Sequence, residues 1–217
     1  MMRLRYRIVF FDVDSTLVTI EGIDVLARGN PEIARLTAAA MNGEIPLEQV
    51  YEQRLQSICP SRQQVEALGQ TYQESLVEGA EETLRILQSS GAIIHLVSAG
   101  IEQAILPLAA QLGVPDRQVH AVRLTFSESG EYADFDRRSF LTRRGGKEIV
   151  VRDIRARSHG RAAFIGDGVS DLEARPAVDL FIGFGGVQSR SAVREQADVY
   201  VETSSLTAVL PFLQDAT

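Results

Sequence analysis

The stretch IVFFDVDST, residues 8–16, begins with an unbroken apolar run, residues 8–11, which is followed directly by two carboxylates, Asp12 and Asp14. Such a run is typical of a strand inside a parallel sheet, where both faces are covered. Alternate side chains of a strand share a face, so Asp12 and Asp14 are predicted to point into one crevice at the carboxyl end of the strand. Two anions this close repel each other, which favours a bound divalent cation or a retained proton. The alternative is an Asp/Ser/Thr turn that caps the next helix.

Composition limits the class of protein. The chain has 217 residues, of which 45% are hydrophobic, which suits one large domain or a core with an insertion. A net charge of -7 argues against nucleic acid as a partner, because phosphate-backbone binding needs concentrated basic surface. The single cysteine, Cys59, excludes an intrachain disulfide and favours a reducing compartment. No apolar run reaches the length of a signal sequence or membrane span, so we expect a cytoplasmic protein with no membrane partner.

Strands alternate with helices along most of the chain, which predicts an α/β fold with a parallel sheet and helices on both faces. After residues 8–11, the predicted strands are 92–97, 161–165 and 179–182. Residues 17–76 contain no comparable strand and are predicted to form helices at 23–40, 47–57 and 62–75. We expect this section to be a helical insertion that covers the carboxylates as a lid. Residues 122–135 have the pattern of a β-hairpin.

Three further clusters follow predicted strands or begin predicted helices. Ser98 offers a hydroxyl and neighbouring backbone N–H groups in a turn that leads to a helix, an arrangement suited to phosphate oxygens. Lys147 follows two glycines and could reach back to neutralise a phosphoryl group. Asp167 and Asp171 bring two more acids to a strand end, as a magnesium site requires.

Each of these clusters has an ordinary structural alternative. Ser98 is equally typical of a helix N-cap, Lys147 of a surface lysine, and the Asp167 segment of a glycine-rich capping turn. The conjunction favours function, because the four clusters occur in order at successive edges and imply the same phosphate and metal ligand.

With these motifs the chain resembles the haloacid dehalogenase superfamily. Asp12 to Thr16 is similar to its first motif, Ser98 to its second, Lys147 to its third, and Asp167 with Asp171 to its fourth. Within the superfamily the chain resembles the phosphoserine phosphatase family. This resemblance implies a Rossmann-like catalytic core of residues 1–16 and 77–217, with a small helical-bundle cap of residues 17–76 that governs substrate selectivity.

The resemblance also implies a mechanism. Asp12 would form an aspartyl phosphate, and Asp14 would protonate the leaving oxygen and later activate water. Mg²⁺ would be held by Asp12, the backbone carbonyl of Asp14 and Asp167, with Asp171 as an outer support. Ser98 and Lys147 would hold the phosphoryl oxygens.

Substrate selection is expected mostly in the insertion. Glu21 corresponds to the family position that pairs with the substrate ammonium, and Arg54 to the position that binds its carboxylate. Both also suit an ordinary charged helix face. The remaining predicted substrate contacts are Met41, Asn42, Leu47, Ala99, Gly100 and Ser170. Four of these positions depart from the family pattern, namely Asn42, Leu47, Ala99 and Ser170.

The expected partner is thus a small phosphomonoester, phosphoserine, and the expected pathway is serine biosynthesis. One alternative keeps the mechanism but acts on another small phosphomonoester, as a phosphatase or phosphotransferase. Another is a receiver-like phosphoacceptor module, against which stand Asp14 and the inserted helices. The oligomeric state is expected to be a monomer or homodimer, and no histidine is assigned to the chemistry.

Overall fold

The fold is built on one parallel sheet. The computed structural model describes residues 3–215, and its six-stranded sheet has the order β3-β2-β1-β6-β7-β8 with parallel pairing throughout. The strands are β1 (Ile8–Phe11), β2 (Ile93–Ile101), β3 (Val119–Val122), β4 (Leu124–Phe126), β5 (Tyr132–Phe135), β6 (Ala162–Gly166), β7 (Leu180–Phe184) and β8 (Val199–Val201). Strands β4 and β5 form the separate antiparallel hairpin that the sequence predicts.

Strand β1 lies at the centre of the sheet. Ile8 is opposite Ile93 of β2 on one side and Ala162 of β6 on the other. Every residue of β1 and β6 is buried, and since consecutive side chains alternate between faces, both faces of the sheet are covered. The predicted α/β class is therefore confirmed. From β1 the chain adds β2 and β3 on one side of the sheet, and then crosses to the other side of β1 to add β6. The strand order therefore reverses at β1, and ligands of α/β sheets bind at such a switch point.

Ten helices surround the sheet within the described residues. They are α1 (Gly22–Leu26), α2 (Pro31–Met41), α3 (Leu47–Ile58), α4 (Arg62–Glu74), α5 (Ala80–Ser89), α6 (Glu102–Gln111), α7 (Gly146–Ala156), α8 (Val169–Leu172), α9 (Ser191–Gln196) and α10 (Leu210–Leu213). The first five lie between β1 and β2, and α1 to α4 fall within residues 17–76. No helix among residues 3–215 combines the length and apolar character needed to cross a membrane.

The prediction of one helix over residues 23–40 is wrong, because two helices occupy this section. Between α1 and α2, Arg28 and Gly29 adopt positive φ angles of 50° and 77°, a conformation that no helix continues through. Helix α2 then starts anew with Asn30, whose side chain accepts a hydrogen bond from the N–H of Glu32 at 3.0 Å, and with Pro31 at its first position. Asparagine and proline are favoured at these two positions.

The predicted strand over residues 92–97 is too short. Strand β2 continues through Ile101, and its pairing with β3 shifts register between Val97 and Ile101. Ser98 therefore lies within an irregular part of a strand and not in a turn, and α6 begins only at Glu102. Such irregularities often redirect side chains beside functional sites. Strands β3 and β8 are absent from the sequence prediction.

Two adjacent glycines set the start of α7 for different reasons. Gly145 has a φ of 71°, and no heavy atom lies within 4 Å of a β-carbon placed there. Glycine is therefore favoured at position 145 by the backbone conformation and not by lack of space. A β-carbon at Gly146 would overlap the carbonyl oxygen of Phe140. The turn of Phe140–Thr142 is thus packed directly against the helix that carries Lys147.

We expect Gly146→Ala to lower the free energy of unfolding by about 3 kcal/mol, because a methyl group must displace backbone. The matched variant Gly145→Ala should cost only about 1 kcal/mol, the penalty of a left-handed conformation for a residue with a β-carbon. Urea unfolding of the two variants beside the parent protein measures this. Equal losses would show that space is not the constraint at position 146.

Candidate functional site

Two aspartates begin the loop at the carboxyl end of β1. Asp12 and Asp14 are 2% and 8% exposed. The N–H of Asp12 donates to the carbonyl of Ile165, 3.0 Å away, which extends the β1 to β6 ladder by one residue. The following turn places Ser15 at a φ of 54°, and its N–H donates to the carbonyl of Ile20 at 3.2 Å. Asp14 is thereby turned toward the insertion while Asp12 remains against β6.

Three buried carboxylates converge at this edge. Asp12, Asp167 and Asp171 each offer one oxygen, and these oxygens lie within 4.8 Å of one another. Oxygen donors with this much negative charge fit a hard divalent cation such as Mg²⁺. The trio includes Asp171, which the sequence predicts only as an outer support. The Asp14 side chain is not a member of the trio.

The ammonium group of Lys147 lies between two members of the trio. It is 2.8 Å from Oδ1 of Asp12 and 2.5 Å from Oδ1 of Asp171, and Asp171 also accepts the N–H of Gly168 at 2.8 Å. Burial lowers the pKa of Lys147, but the two aspartates outweigh that effect and raise it above its usual range. Lys147 is therefore a fixed positive charge beside Asp12.

The third member of the trio has its own partners. Oδ1 of Asp167 accepts the hydroxyl of Thr16 at 3.0 Å, and Oδ2 lies 3.2 Å from Nε of Arg190. Arg190 follows the end of β7, its side chain is 10% exposed, and its Nη2 is 3.6 Å from Glu21. Arg190 is a second cation of the site that the sequence analysis misses.

The two cations do not fully offset the negative charge of the acids, because the pKa values of three acids remain raised. Burial and then Asp171 raise the pKa of Asp12 well above its usual value. Burial, followed by the charge of Asp171, raises the pKa of Asp167 to about 7 although Arg190 opposes the shift. Burial and the charge of Asp14 raise the pKa of Glu21 to about 8. Such shifts occur where carboxylates crowd together in a low dielectric, and they indicate a site suited to a further cation.

Asp14 is held by two donors on one oxygen. The N–H of Gly22 and the hydroxyl of Tyr72 each lie 2.7 Å from Oδ1. Burial raises the pKa of Asp14, while these two hydrogen bonds oppose the rise. Tyr72 is fully buried and lies on α4, which makes it a second residue of the site that the sequence analysis misses.

The backbone after Ser98 approaches Asp14 closely. The N–H of Gly100 donates to Oγ of Ser98 at 2.9 Å. A β-carbon at Gly100 would lie 3.0 Å from Oδ2 of Asp14 and 3.1 Å from Oγ of Ser98, so a side chain at position 100 would crowd both groups. Ala99 has room for its methyl group, and its carbonyl accepts the hydroxyl of Tyr51 at 3.0 Å. The departure at position 99 thus leaves the close approach at position 100 intact.

A cavity of about 70 Å³ joins these groups to the insertion. Most of the predicted site residues line it, namely Asp12, Asp14, Glu21, Met41, Leu47, Arg54, Ser98, Ala99, Gly100, Lys147 and Ser170. Three do not. Asp167 and Asp171 are buried but do not line the cavity, and Asn42 is exposed, its Oδ1 3.3 Å from Nη1 of Arg190.

Arg54 is a buried guanidinium at the insertion side of this cavity. It is 6% exposed, its Nη1 donates to Oγ1 of Thr37 at 3.1 Å, and its Nε has no hydrogen-bond partner among the described residues. No carboxylate of residues 3–215 lies within ion-pair distance of it. Burial lowers its pKa, yet an arginine stays protonated. A buried positive charge without a counter-ion is costly, so this end of the cavity is suited to an anion.

Two histidines form a separate pair. Nδ1 of His95 and Nε2 of His120 are 3.1 Å apart, and His95 stacks on Phe10. Burial, with His120 adding to it, lowers the pKa of His95 to about 4. Neither side chain lines the cavity of the carboxylates.

Comparison with known proteins identifies the family. The family model for haloacid dehalogenase-like hydrolases matches residues 9–174. The chain is 39% identical over 197 residues to the phosphoserine phosphatase of Mus musculus, covering 89% of this chain and 88% of that one. It is 37% identical over 197 residues to the phosphoserine phosphatase of Homo sapiens, with the same shares covered.

Solved structures agree. A phospho-aspartyl intermediate analogue of phosphoserine phosphatase superposes with a TM-score of 0.83 at 26% identity, over 97% of this chain and 100% of that one. A substrate-bound phosphoserine phosphatase complex gives a TM-score of 0.83 at 26% identity, over 96% and 99% of the two chains. The chain belongs to the haloacid dehalogenase-like hydrolases, within the phosphoserine phosphatase family.

Proposed function

We propose that this protein is a Mg²⁺-dependent phosphoserine phosphatase that hydrolyses O-phospho-L-serine to L-serine and phosphate. The relatives that match nearly the whole chain carry that name. The observation that carries the substrate assignment is the buried guanidinium of Arg54, which has no counter-ion among the described residues and lines the same cavity as Asp12. A substrate with a phosphoryl group at one end and a carboxylate at the other matches both ends of this cavity.

The phosphoryl end supports a two-step mechanism. A carboxylate oxygen of Asp12 attacks phosphorus, the bond to the serine oxygen breaks, and Asp14 gives its proton to that oxygen. Water then attacks the phosphorus of the aspartyl phosphate, Asp14 takes a proton from it, and phosphate leaves with the Asp12 carboxylate restored. Lys147, 2.8 Å from Asp12, and the hydroxyl of Ser98 are positioned to bind the phosphoryl oxygens as charge spreads over them.

We assign the metal to Asp12, Asp167 and the backbone carbonyl of Asp14, with Asp171 beside it. The convergence of the buried carboxylates of Asp12, Asp167 and Asp171 supports this assignment. When bound, Mg²⁺ neutralises carboxylate charge and polarises the phosphoryl oxygens. Oδ2 of Asp171 also accepts the N–H of Gly168, 2.8 Å away, which holds this carboxylate beside the other two.

We assign substrate selection to the insertion, which acts as a cap of residues 17–76. Arg54 binds the serine carboxylate. Its Nη1 donates to the hydroxyl of Thr37, which in turn donates to Oδ1 of Asp24 at 2.8 Å. Glu21 takes the ammonium group, with its own Oε1 held by the hydroxyl of Ser15 at 2.7 Å. Met41, Leu47 and Ser170 are further cavity-lining contacts. We assign Asn42 an indirect role, through the contact of its Oδ1 with Arg190.

The first test is a substrate panel. Phosphate release from L-phosphoserine, phosphothreonine, phosphoethanolamine and an aryl phosphate is measured with Mg²⁺ and with chelator. We expect a Mg²⁺-dependent kcat/KM for L-phosphoserine about 10²-fold above those for phosphoethanolamine and the aryl phosphate, the cost of lost charged contacts. Phosphothreonine keeps both charged groups, so its kcat/KM reports only the room for one added methyl group. A flat Mg²⁺-dependent profile would keep the phosphatase and reject phosphoserine as its substrate.

The carboxylate role of Arg54 is tested by Arg54→Met, which keeps most of the side-chain volume but removes the charge. We expect kcat/KM for phosphoserine to fall about 10²-fold, mainly through KM, because a charge-assisted bidentate contact is lost. Phosphoethanolamine, which has the amine but no carboxylate, should be cleaved as by the parent enzyme.

The control for this variant is Arg35→Met on α2, since Arg35 is exposed. It should leave both substrates unaffected. If Arg54→Met lowers kcat/KM equally for phosphoserine and phosphoethanolamine, then Arg54 does not bind the carboxylate.

The metal assignment predicts a pH-dependent stabilisation. Without divalent ions, the pKa of about 7 for Asp167 exceeds its unfolded value, so the folded state holds an extra proton and loses stability as pH rises toward 7. Mg²⁺ competes with that proton, so we expect it to raise the thermal unfolding midpoint more at pH 8 than at pH 6. At 100-fold excess over its dissociation constant, the gain is about 2.7 kcal/mol.

Asp167→Asn should abolish this Mg²⁺ effect on the unfolding midpoint. The control Asp153→Asn, at an exposed aspartate that pairs with Arg157, should retain it. A Mg²⁺ effect that survives in Asp167→Asn would place the ion elsewhere.

A further inference from the structure

The hydroxyl of Tyr72 is a buried polar group directed at one atom. Tyr72 is fully buried on α4, and its hydroxyl donates to Oδ1 of Asp14 at 2.7 Å. A phenol next to a carboxylate acts as the donor, because an ionised carboxylate only accepts. The N–H of Gly22 donates to the same oxygen at 2.7 Å, so Oδ1 receives two short hydrogen bonds.

The other oxygen of Asp14 has a different environment. Oδ2 lies beside the phosphate-binding segment, since a β-carbon at Gly100 would be 3.0 Å from Oδ2 and 3.1 Å from Oγ of Ser98. Two donors on Oδ1 favour the carboxyl form in which the proton is on Oδ2, because a proton on Oδ1 would meet two N–H or O–H groups. The Ser98 hydroxyl, which also hydrogen-bonds Asp14, can rotate to accept that proton. The proton is therefore placed on the oxygen that lies beside Ser98.

The surrounding backbone is shaped to bring Tyr72 to this point. A β-carbon at Gly22 would overlap the Tyr72 hydroxyl, so the residue that supplies the second donor must be glycine. At Gly69, one turn before Tyr72, a β-carbon would lie 3.3 Å from the carbonyl oxygen of Ala104 on α6. This close packing fixes α4 against the core, and Tyr72 with it.

We propose that Tyr72 is a positioning residue for proton transfer, and that its hydroxyl fixes Oδ1 of Asp14 so that Oδ2 delivers the proton to the leaving oxygen. The proposal rests on the proposed function, in which Asp14 is the general acid. It assigns to the last helix of the insertion a role in the chemical step, separate from substrate selection.

The test compares two leaving groups. Departure of the serine alkoxide from phosphoserine needs a proton, whereas acetate leaves acetyl phosphate without one, and both substrates are small. The quantity measured is the ratio of kcat/KM for phosphoserine to kcat/KM for acetyl phosphate, which reports the step up to formation of the aspartyl phosphate. We expect Tyr72→Phe to lower this ratio about 10-fold or more, since a hydrogen bond to a charged group is lost.

Tyr51→Phe is the matched control. It removes a hydroxyl from the same cavity, the one that donates to the carbonyl of Ala99 at 3.0 Å, and it should leave the ratio unchanged. Gly22→Ala is the second variant in case Tyr72→Phe does not fold. It keeps the phenol but displaces its hydroxyl, and it should lower the ratio as Tyr72→Phe does.

Asp14→Asn separates this proposal from the proposed function. If it lowers the ratio while Tyr72→Phe and Gly22→Ala leave the ratio within about twofold of the parent value, Tyr72 is only structural and the proposal is overturned. The proposal is also overturned if Tyr72→Phe lowers kcat/KM for phosphoserine and for acetyl phosphate by the same factor. If Asp14→Asn itself leaves the ratio unchanged, Asp14 is not the acid and the proposed mechanism fails.

Discussion

The contact of Lys147 with Asp12 and Asp171 is the interaction on which the rest of the site depends. All three side chains are buried, at distances of 2.8 and 2.5 Å, and without the ammonium group the two carboxylates would face each other in a low dielectric. Breaking such a buried pair by removing one partner is strongly destabilising. The position of Lys147 depends in turn on Gly146, the one residue that lets α7 begin against the carbonyl of Phe140.

Charge explains why this site requires more than its own side chains. Five acids lie together here, and only two cations, Lys147 and Arg190, are within ion-pair distance of any of them among the described residues. The acids are Asp12, Asp14, Glu21, Asp167 and Asp171. An arriving phosphomonoester adds further negative charge, so a carboxylate nucleophile could approach it only against strong repulsion. A divalent cation at the carboxylate trio would reduce that repulsion. The raised pKa values of the acids and the proposed metal are therefore two consequences of the same charge balance.

The sequence predicts the parts of this site that a parallel sheet brings together by itself. Asp12, Ser98 and Asp167 are in or directly after three adjacent strands, and the carboxyl ends of parallel strands meet at one edge. It does not predict Tyr72 or Arg190. Val65, Leu68 and Tyr72 have the spacing of an ordinary core face, so nothing in the sequence distinguishes a tyrosine that packs from one that also donates to Asp14.

The errors in the fold have equally local causes. The single helix predicted over residues 23–40 overlooks a break at Gly29, Asn30 and Pro31, residues favoured at the end of one helix and the start of the next. The extension of β2 through Ser98 depends on a register shift against β3, and β3 itself is four residues long with a histidine in the middle. Such features arise from pairing between distant segments and leave little trace in a local window.

The insertion separates two tasks by how firmly its helices are attached to the core. Helix α4 packs closely on α6 through Gly69, and it carries Tyr72 to Asp14, the proposed general acid. Helices α2 and α3 pack on each other and carry Thr37 and Arg54 to the far end of the cavity. Proton transfer requires a fixed geometry, because a small displacement of the acid lowers the rate steeply. Recognition of a carboxylate by a long guanidinium side chain tolerates more movement. In the proposed mechanism, the support of the acid therefore lies on the helix that packs on the core, and Arg54 lies on a helix that packs against α2.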